Sequence, residues 1–298
     1  MANRYYRQDW KNTIFDIVLV AFFVVFVFVM LFPFINQLAI SLNDGSDAVR
    51  RGIYFWPRQF STDSYRLLFG HPKLLRGALM SVLRVVVGTA TSLFACGLLG
   101  YLVVQRSFSG RRFMRLLFVI TLYFSGGLIP LYLVIVALGM VNTFSVYWIP
   151  NLVNAYYMLI IASYMQNLPD SLAESARMDG ATELRIFMSI YVPIALPVLA
   201  AISIFTAVGH WNSWFDVLIY NPSGKWDTLQ VYLRRLLLEV EALAQVQDID
   251  LLRRRMMDVS TETYRAATTM VVTIPIVLVY PFLQRYFISG ITIGAVKG

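Results

Sequence analysis

The sequence predicts an all-α integral membrane protein with six transmembrane helices, on three observations. Of its 298 residues, 58% are hydrophobic and only 14% charged, against roughly 45–50% and about 25% in soluble domains. A soluble fold of this size would lack the polar groups to cover its surface. Six stretches stay apolar for the roughly 20 residues that a helix needs to cross a bilayer. Their apolar residues continue round the whole helix instead of forming one stripe. A soluble enzyme, a disordered regulator and a secreted disulfide scaffold are thereby excluded. The single cysteine, Cys96, lies in an apolar run. It reads as a buried, inert thiol and leaves no intrachain disulfide or cysteine-cluster metal site.

The first span, residues 13–40, follows Arg4, Arg7 and Lys11, as the core of a signal peptide would. Its apolar run far exceeds the roughly 7–15 residues of a cleavable core, so it is read as a retained helix. The second, 75–104, carries Arg76 near one end, where a long side chain can snorkel. Arg84 lies deeper and needs a cavity or a partner acid. The third span is 113–138, the fourth 144–165, the fifth 190–220 and the sixth 266–288. Together they make a single transmembrane domain over 1–298.

Orientation rests on charge near the spans. With the N-terminus inside, the inner and outer segments carry nearly equal numbers of bases. Short segments weigh most, and the tight loop 105–115 holds Arg106, Arg111, Arg112 and Arg115 with no acid. Both termini are therefore placed in the cytoplasm. The long outer segment 221–265 balances bases with acids, so Arg253-Arg254-Arg255 within it does not indicate nucleic acid. Leu229, Leu233, Leu236, Val240 and Leu243 recur there at helical spacing and mark an amphipathic helix.

The most informative segment is polar and lies between the fourth and fifth spans, at 169–189. Ser171 and Glu174 have the spacing of a capping box. Pro169 precedes them, and Gly180 supplies a helix stop because glycine accepts the left-handed conformation. A second helix is expected from about Ala181 into the fifth span. The segment thus reads as a short polar helix on the cytoplasmic surface, with Ala173, Ser175 and Ala176 small enough for close approach by a partner.

Here the sequence resembles the permease subunits of binding-protein-dependent ABC importers. Their cytoplasmic loop carries Glu-Ala-Ala, three residues, Gly, nine residues and Ile-x-Leu-Pro. This chain has Glu174-Ser175-Ala176, Gly180 and Ile190-Tyr191-Val192-Pro193 at the same spacing. Asp179-Gly180-Ala181-Thr182, the pair Pro193 and Pro197, and the C-terminal Phe282-Leu283-Gln284-Arg285-Tyr286-Phe287, ending Val296-Lys297-Gly298, look like the maltose-type carbohydrate subfamily. Tyr123-Phe124-Ser125-Gly126-Gly127-Leu128-Ile129-Pro130 and Gly209-His210-Trp211-Asn212-Ser213-Trp214 look like its oligosaccharide branch, which includes aldouronate and alginate importers.

The resemblance implies the type I importer permease fold in the inner membrane of a prokaryote. It implies transport by alternating access, with a second homologous permease, two ATP-binding cassette subunits and an extracytoplasmic sugar-binding protein as partners. Ala173, Glu174, Ser175, Ala176, Asp179, Gly180 and Pro193 become the coupling segment that meets an ATPase subunit. The outer amphipathic helix either contacts the binding protein or lies on the chain's own spans or the lipid surface. No G-x-x-x-x-G-K-[ST] phosphate loop occurs in this chain, so ATP and Mg are expected on the partner subunits. No catalytic or metal site is expected, because His71 and His210 are far apart and no H-E-x-x-H pattern exists.

A sugar path needs polar groups inside the membrane. Candidates are Tyr123 and Ser125 in the third span, and Asn151, Asn154, Tyr156 and Tyr157 in the fourth. The fifth offers His210, Trp211, Asn212, Ser213, Trp214 and Asp216. Aromatic rings stack on sugar C–H faces, and amides or carboxylates bind hydroxyls. The same residue types also hold helices together. An ABC permease for a non-sugar solute and a stand-alone secondary transporter are the competing readings, and the Glu174 to Pro193 pattern argues against the latter.

Overall fold

A computed structural model describes residues 10–48, 50, 52–245 and 260–295. Their regular structure is helical, and among them the one β pairing is an isolated bridge between Asn43 and Phe60. Two compact units can be described separately. One contains the chain up to Gly70 with Leu237–Val271, and the other His71–Leu236 with the residues from Val272 onward.

In the first unit, α1 (Trp10–Ser41) exposes apolar side chains on every side, with Phe22, Val25 and Val29 each more than 60% exposed. Such a surface is stable only in apolar surroundings. Polar fixing appears at its end, where the Asn36 amide donates to the carbonyls of Ile53 at 2.7 Å and Tyr54 at 3.1 Å. Short helices α2 (Gly45–Ala48) and α3 (Asp63–Phe69) follow. The buried Asp47 of α2 accepts from Asn43 at 3.0 Å and Arg58 at 2.9 Å.

In the second unit, α4 (Pro72–Val104) starts with proline, whose missing N–H is unneeded in a first turn. The following segment is two helices, α5 (Arg111–Tyr123) and α6 (Leu128–Ala137). They are interrupted at 124–127, where Gly127 takes φ 81°. The residues from 144 form a 3₁₀ turn (Phe144–Tyr147), an irregular stretch and α7 (Ala155–Gln166). The Asn154 side chain caps α7 by accepting the Tyr157 N–H at 3.1 Å.

Then come α8 (Asp170–Met178), α9 (Glu183–Ile186), a π turn (Phe187–Tyr191) and α10 (Val192–Ile194). A bend of 82° at Ala195 leads into α11 (Leu196–Asn212). Pro197 has no N–H to return to the Pro193 carbonyl, which explains the break. α12 (Phe215–Tyr220), α13 (Leu229–Gln245) and α14 (Thr261–Ala295) complete the described helices.

α7 and α11 both pack along α4. Their shared core includes Cys96, Tyr101, Met158, Ile161, Phe187 and Tyr191. The Tyr101 ring lies 4.8 Å from that of Tyr191 and 5.5 Å from that of Phe187. Glycines on α4 permit the approach. A Cβ on Gly88 would stand 2.4 Å from His210 Nε2, so His210 fits only because that position has no side chain.

Thr13–Ser41 and Pro72–Val104 are each long and apolar enough to cross a bilayer alone, and the bent pair Glu183–Ile194 and Leu196–Asn212 qualifies together. The helix expected in the outer segment is present as α13, with Leu229, Leu233 and Leu236 buried. The side chains of Val240 and Leu243, the bases Arg4 and Arg7, the run Arg253-Arg254-Arg255, the side chains of 282–295 and the terminal Val296-Lys297-Gly298 lie outside the described residues.

Candidate functional site

The polar segment folds as a helix, a glycine turn and a second helix start. α8 does not begin with the expected capping box. Pro169 occupies the cap position with no side-chain hydrogen bond, and Ser171 is already one residue inside the helix. Proline's extended preference ends the preceding chain at that point, so α8 starts two residues earlier than a Ser171 cap would have set it. Its C-terminal end follows expectation. Gly180 takes φ 78°, the Ala181 N–H returns to the Ala176 carbonyl at 2.9 Å, and the Gly180 N–H returns to that of Arg177 at 3.0 Å. These two bonds form a Schellman motif. Thr182 then caps α9 by accepting the Arg185 N–H at 3.4 Å.

Two of the three small residues face inward, while Ser175 faces outward. Ala173 is only 2% exposed, and Ala176 packs against the same core. Three residues apart, they share one face of the helix and seat α8 on the chain's own bundle. Glu174, Ser175, Asp179 and Gly180 are exposed, as is Met178 at 89%. The outward face therefore consists of Glu174, Ser175 and Met178, the last of which no sequence pattern marks. Pro193 is exposed beside the bend.

Polar anchors hold both ends of α8 to the end of α4. Asp170 pairs with Arg106 at 3.0 Å. Arg177 donates Nε to Glu183 at 2.8 Å and Nη2 to the Gln105 side-chain oxygen Oε1 at 2.7 Å. Tyr101 donates to the other Glu183 oxygen at 2.5 Å. The Arg177 bond, followed by that of Tyr101, holds the Glu183 carboxyl below its usual range. Glu183 in turn raises Arg177 above the ordinary guanidinium value. Sequence reasoning missed Tyr101, Gln105 and Glu183. Arg177 and Glu183 flank the glycine turn, a spacing that could have suggested their pairing, whereas nothing in the sequence links either to Tyr101.

The polar residues within the spans divide into two groups. Asp216 is bound by Arg84, which is 1% exposed. It also accepts from Ser213 Oγ at 2.7 Å and from the Val217 N–H at 3.0 Å. The Arg84 guanidinium lies 5.0 Å from the Tyr147 ring centre. Arg84 thus has a partner acid. His210 is buried and bonds to the Gly88 backbone. Trp211 Nε1 donates to the Val272 carbonyl at 3.2 Å, and Asn154 serves as a helix cap. In this group each residue has a structural partner.

Tyr123, Asn151, Tyr156 and Asn212 form the second group and have exposed side chains. Trp214 is partly exposed, with one ring face covered by Arg234 at 4.0 Å. Neither Arg234 nor Tyr147 stood out in the sequence, because each acts on a residue remote in the chain.

No protein-family model matches the chain. Among curated proteins it is 36% identical over 295 residues to the polygalacturonan/rhamnogalacturonan transport system permease protein YtcP of Bacillus subtilis (strain 168), covering 97% of this chain and 100% of that protein. It is 30% identical over 285 residues to the arabinooligosaccharides transport system permease protein AraQ of Halalkalibacterium halodurans, covering 93% and 94% respectively. Among solved structures it is similar to a chain in the crystal structure of a bacterial ABC transporter involved in the import of the acidic polysaccharide alginate. The TM-score is 0.84 with 27% identity, over 96% of this chain and 100% of that one.

Proposed function

We infer function from family: the chain belongs to the permease subunits of carbohydrate-importing ABC transporters, and its task is to form part of an oligosaccharide path through the membrane. We propose that its substrates are acidic oligosaccharides, as the names of the polygalacturonan and alginate relatives suggest. The path is completed by a second, homologous permease. Two ATPase subunits, which carry ATP and Mg, bind on the cytoplasmic side, and a sugar-binding protein delivers substrate outside.

In this reading the chain crosses the inner membrane six times with both termini in the cytoplasm. The third, fourth and fifth crossings are the interrupted segments 113–138, 144–165 and 190–220. Residues 169–189 are the coupling segment and 221–265 the outer loop. Exposed Tyr123, Asn151, Tyr156, Asn212 and Trp214 are the side chains left to meet sugar. Arg84, His210, Trp211 and Asp216 fix the helices around them.

The observation that carries this reading is the anchoring of α8. With Ala173 and Ala176 against the bundle and both ends tied to α4, the helix presents Glu174, Ser175 and Met178 outward as a rigid unit. Glu174 can accept a charge-assisted hydrogen bond from a basic group, while Met178 adapts to an apolar cleft. ATP-driven closure of the ATPase subunits would move α8, and with it α4 and α11.

Met178→Cys, combined with cysteines in the ATPase subunit, tests the contact. A cross-link whose yield changes between nucleotide-free and ATP-bound complexes supports it. An unchanged absence of cross-linking from both Met178→Cys and Ser175→Cys would reject it.

A further inference from the structure

Away from the coupling segment, basic side chains gather near two helix starts. α4 begins at Pro72 and α13 at Leu229. The start of α13 packs against the second and third turns of α4: a Cβ on Gly77 would stand 3.4 Å from the Leu229 backbone, and Ser81 Oγ accepts the Leu229 N–H at 2.9 Å. Helix starts carry partial positive charge, and acidic side chains commonly offset it. Neither of these first turns contains an acid. Instead Lys73 and Arg76 lie at the start of α4, Arg235 lies two turns into α13, and Lys225 lies on the turn before α13.

These four cations line a cavity of about 180 Å³ in which Asp227 is the one acid. Asp227 is already engaged, by Arg235 at 3.1 Å and by the Asn221 amide at 3.0 Å. Arg76 uses one N–H on the Lys225 carbonyl at 3.1 Å, which fixes the guanidinium at the cavity wall and leaves its other donors. Lys73 makes no ion pair within 4.0 Å among the described residues. The recess therefore concentrates positive side chains on two positive helix ends, with one carboxylate to offset them. An anion would relieve that excess.

We propose that this cavity binds the carboxylate of a uronic acid residue, selecting acidic sugars on the outer side before they enter the membrane path. Its volume is smaller than the roughly 300–1,000 Å³ of a pocket for a drug-sized ligand, so it takes one charged residue of an oligosaccharide, with the remainder of the chain outside. Lys73 and Arg76 supply the donors, while Arg235 stays with Asp227 and the Lys225 ammonium lies 5.0 Å from the Trp226 ring centre. The inference rests on the permease reading and on the orientation that places α4's start outside.

The test uses the complete complex of this chain with its partner permease, ATPase subunits and binding protein, in liposomes. Trigalacturonate and its fully methyl-esterified form are the probes, because they differ only at the carboxyl groups, where the ester replaces each charge with a methyl group. ATPase stimulation is measured against sugar concentration for the parent, for Lys73→Gln with Arg76→Gln, and for Lys73→Arg. The expected result is a rise of about tenfold in the concentration of trigalacturonate needed for half-stimulation in the glutamine variant, the loss expected for a charge-assisted bond. The ester's value stays unchanged, and Lys73→Arg remains near the parent. Raising ionic strength should weaken the acid's advantage in the parent.

Equal shifts for acid and ester that are cancelled by more binding protein would overturn the proposal. They would mean that the cavity receives an acidic side chain of the binding protein. Identical responses of parent and variant to trigalacturonate would also overturn it. A complex stimulated only by neutral sugars rejects the uronate site and leaves the permease reading standing, whereas a complex stimulated by no sugar rejects that reading itself.

Discussion

Tyr101, near the end of α4, donates its hydroxyl at 2.5 Å to Glu183, 82 residues further along the chain. The same carboxylate holds Arg177 of α8 at 2.8 Å. The helix along which α7 and α11 pack is thereby bonded directly to the coupling segment. Displacement of α8 would reach the bundle by a first route through the Thr182-capped α9 into α11 and a second through Glu183 into α4, beside the contacts of Asp170 with Arg106 and of Arg177 with Gln105.

Removing the second route should loosen coupling without preventing insertion. Tyr101→Phe keeps the ring packed on Phe187 and Tyr191 and deletes only the hydrogen bond. Because Glu183 is about half exposed, the loss should be about 1 kcal/mol rather than the full value of a buried charged bond. The expected outcome is a fall of about fivefold in sugar moved per ATP hydrolysed, measured by parallel uptake and phosphate release. Arg177→Met should give a similar fall. Unchanged ratios in both variants would assign the cluster to local folding alone.

The Glu183 carboxyl is held below its usual range in the folded protein, first by Arg177 and then by Tyr101. A depressed carboxyl adds stability above its unfolded value, near about 4.3, and that contribution is lost as pH falls through the lower folded value. The loss should therefore fall at acidic pH, below about 4, and be absent near neutrality. Thermal melting of the detergent-solubilised protein between about pH 3 and 7 should show a drop that Glu183→Gln removes.

The buried Arg84 pairs with the partly buried Asp216 across two elements of the bundle. Removing one partner strands the other, at a cost of roughly 3–5 kcal/mol. Arg84→Met and Asp216→Leu should each lower the melting temperature strongly, and the double variant should be closer to the parent than either. Additive losses would show that the residues act independently.

Gly88→Ala tests the fit of His210. The added Cβ would lie 2.4 Å from the imidazole, and overpacking of this kind costs roughly 1–3 kcal/mol. His210→Ala in the same chain should recover most of the lost thermal stability. A Gly88→Ala protein with the parent's melting temperature would contradict the close approach.

The long apolar runs made the helical class legible because lipid imposes a composition that no polar surface needs. The sequence also carried the stop at Gly180, since a positive φ restricts the choice of residue. It could not show which side of α8 faces inward. Ala173 and Ala176 are small in either role, and only the packed bundle distinguishes seating on the chain itself from approach by a partner. The breaks at 124–127 and Ala195 had signals in Gly126, Gly127, Pro193 and Pro197, yet hydropathy averages over them. Arg84 announced its need for an acid, whereas Tyr101 gave no sign because a tyrosine in an apolar helix has many ordinary uses.

The most direct measurement of the coupling role is ATP-dependent uptake of labelled oligogalacturonate by liposomes containing the full complex, with the parent chain or with Gly180→Pro. Proline cannot adopt the φ of 78° found there, so the turn between α8 and α9 must change. The parent should accumulate sugar only with ATP. Gly180→Pro should insert and assemble, retain basal hydrolysis, and lose both sugar stimulation and uptake. Full sugar-stimulated hydrolysis and uptake in the assembled Gly180→Pro complex would contradict the account.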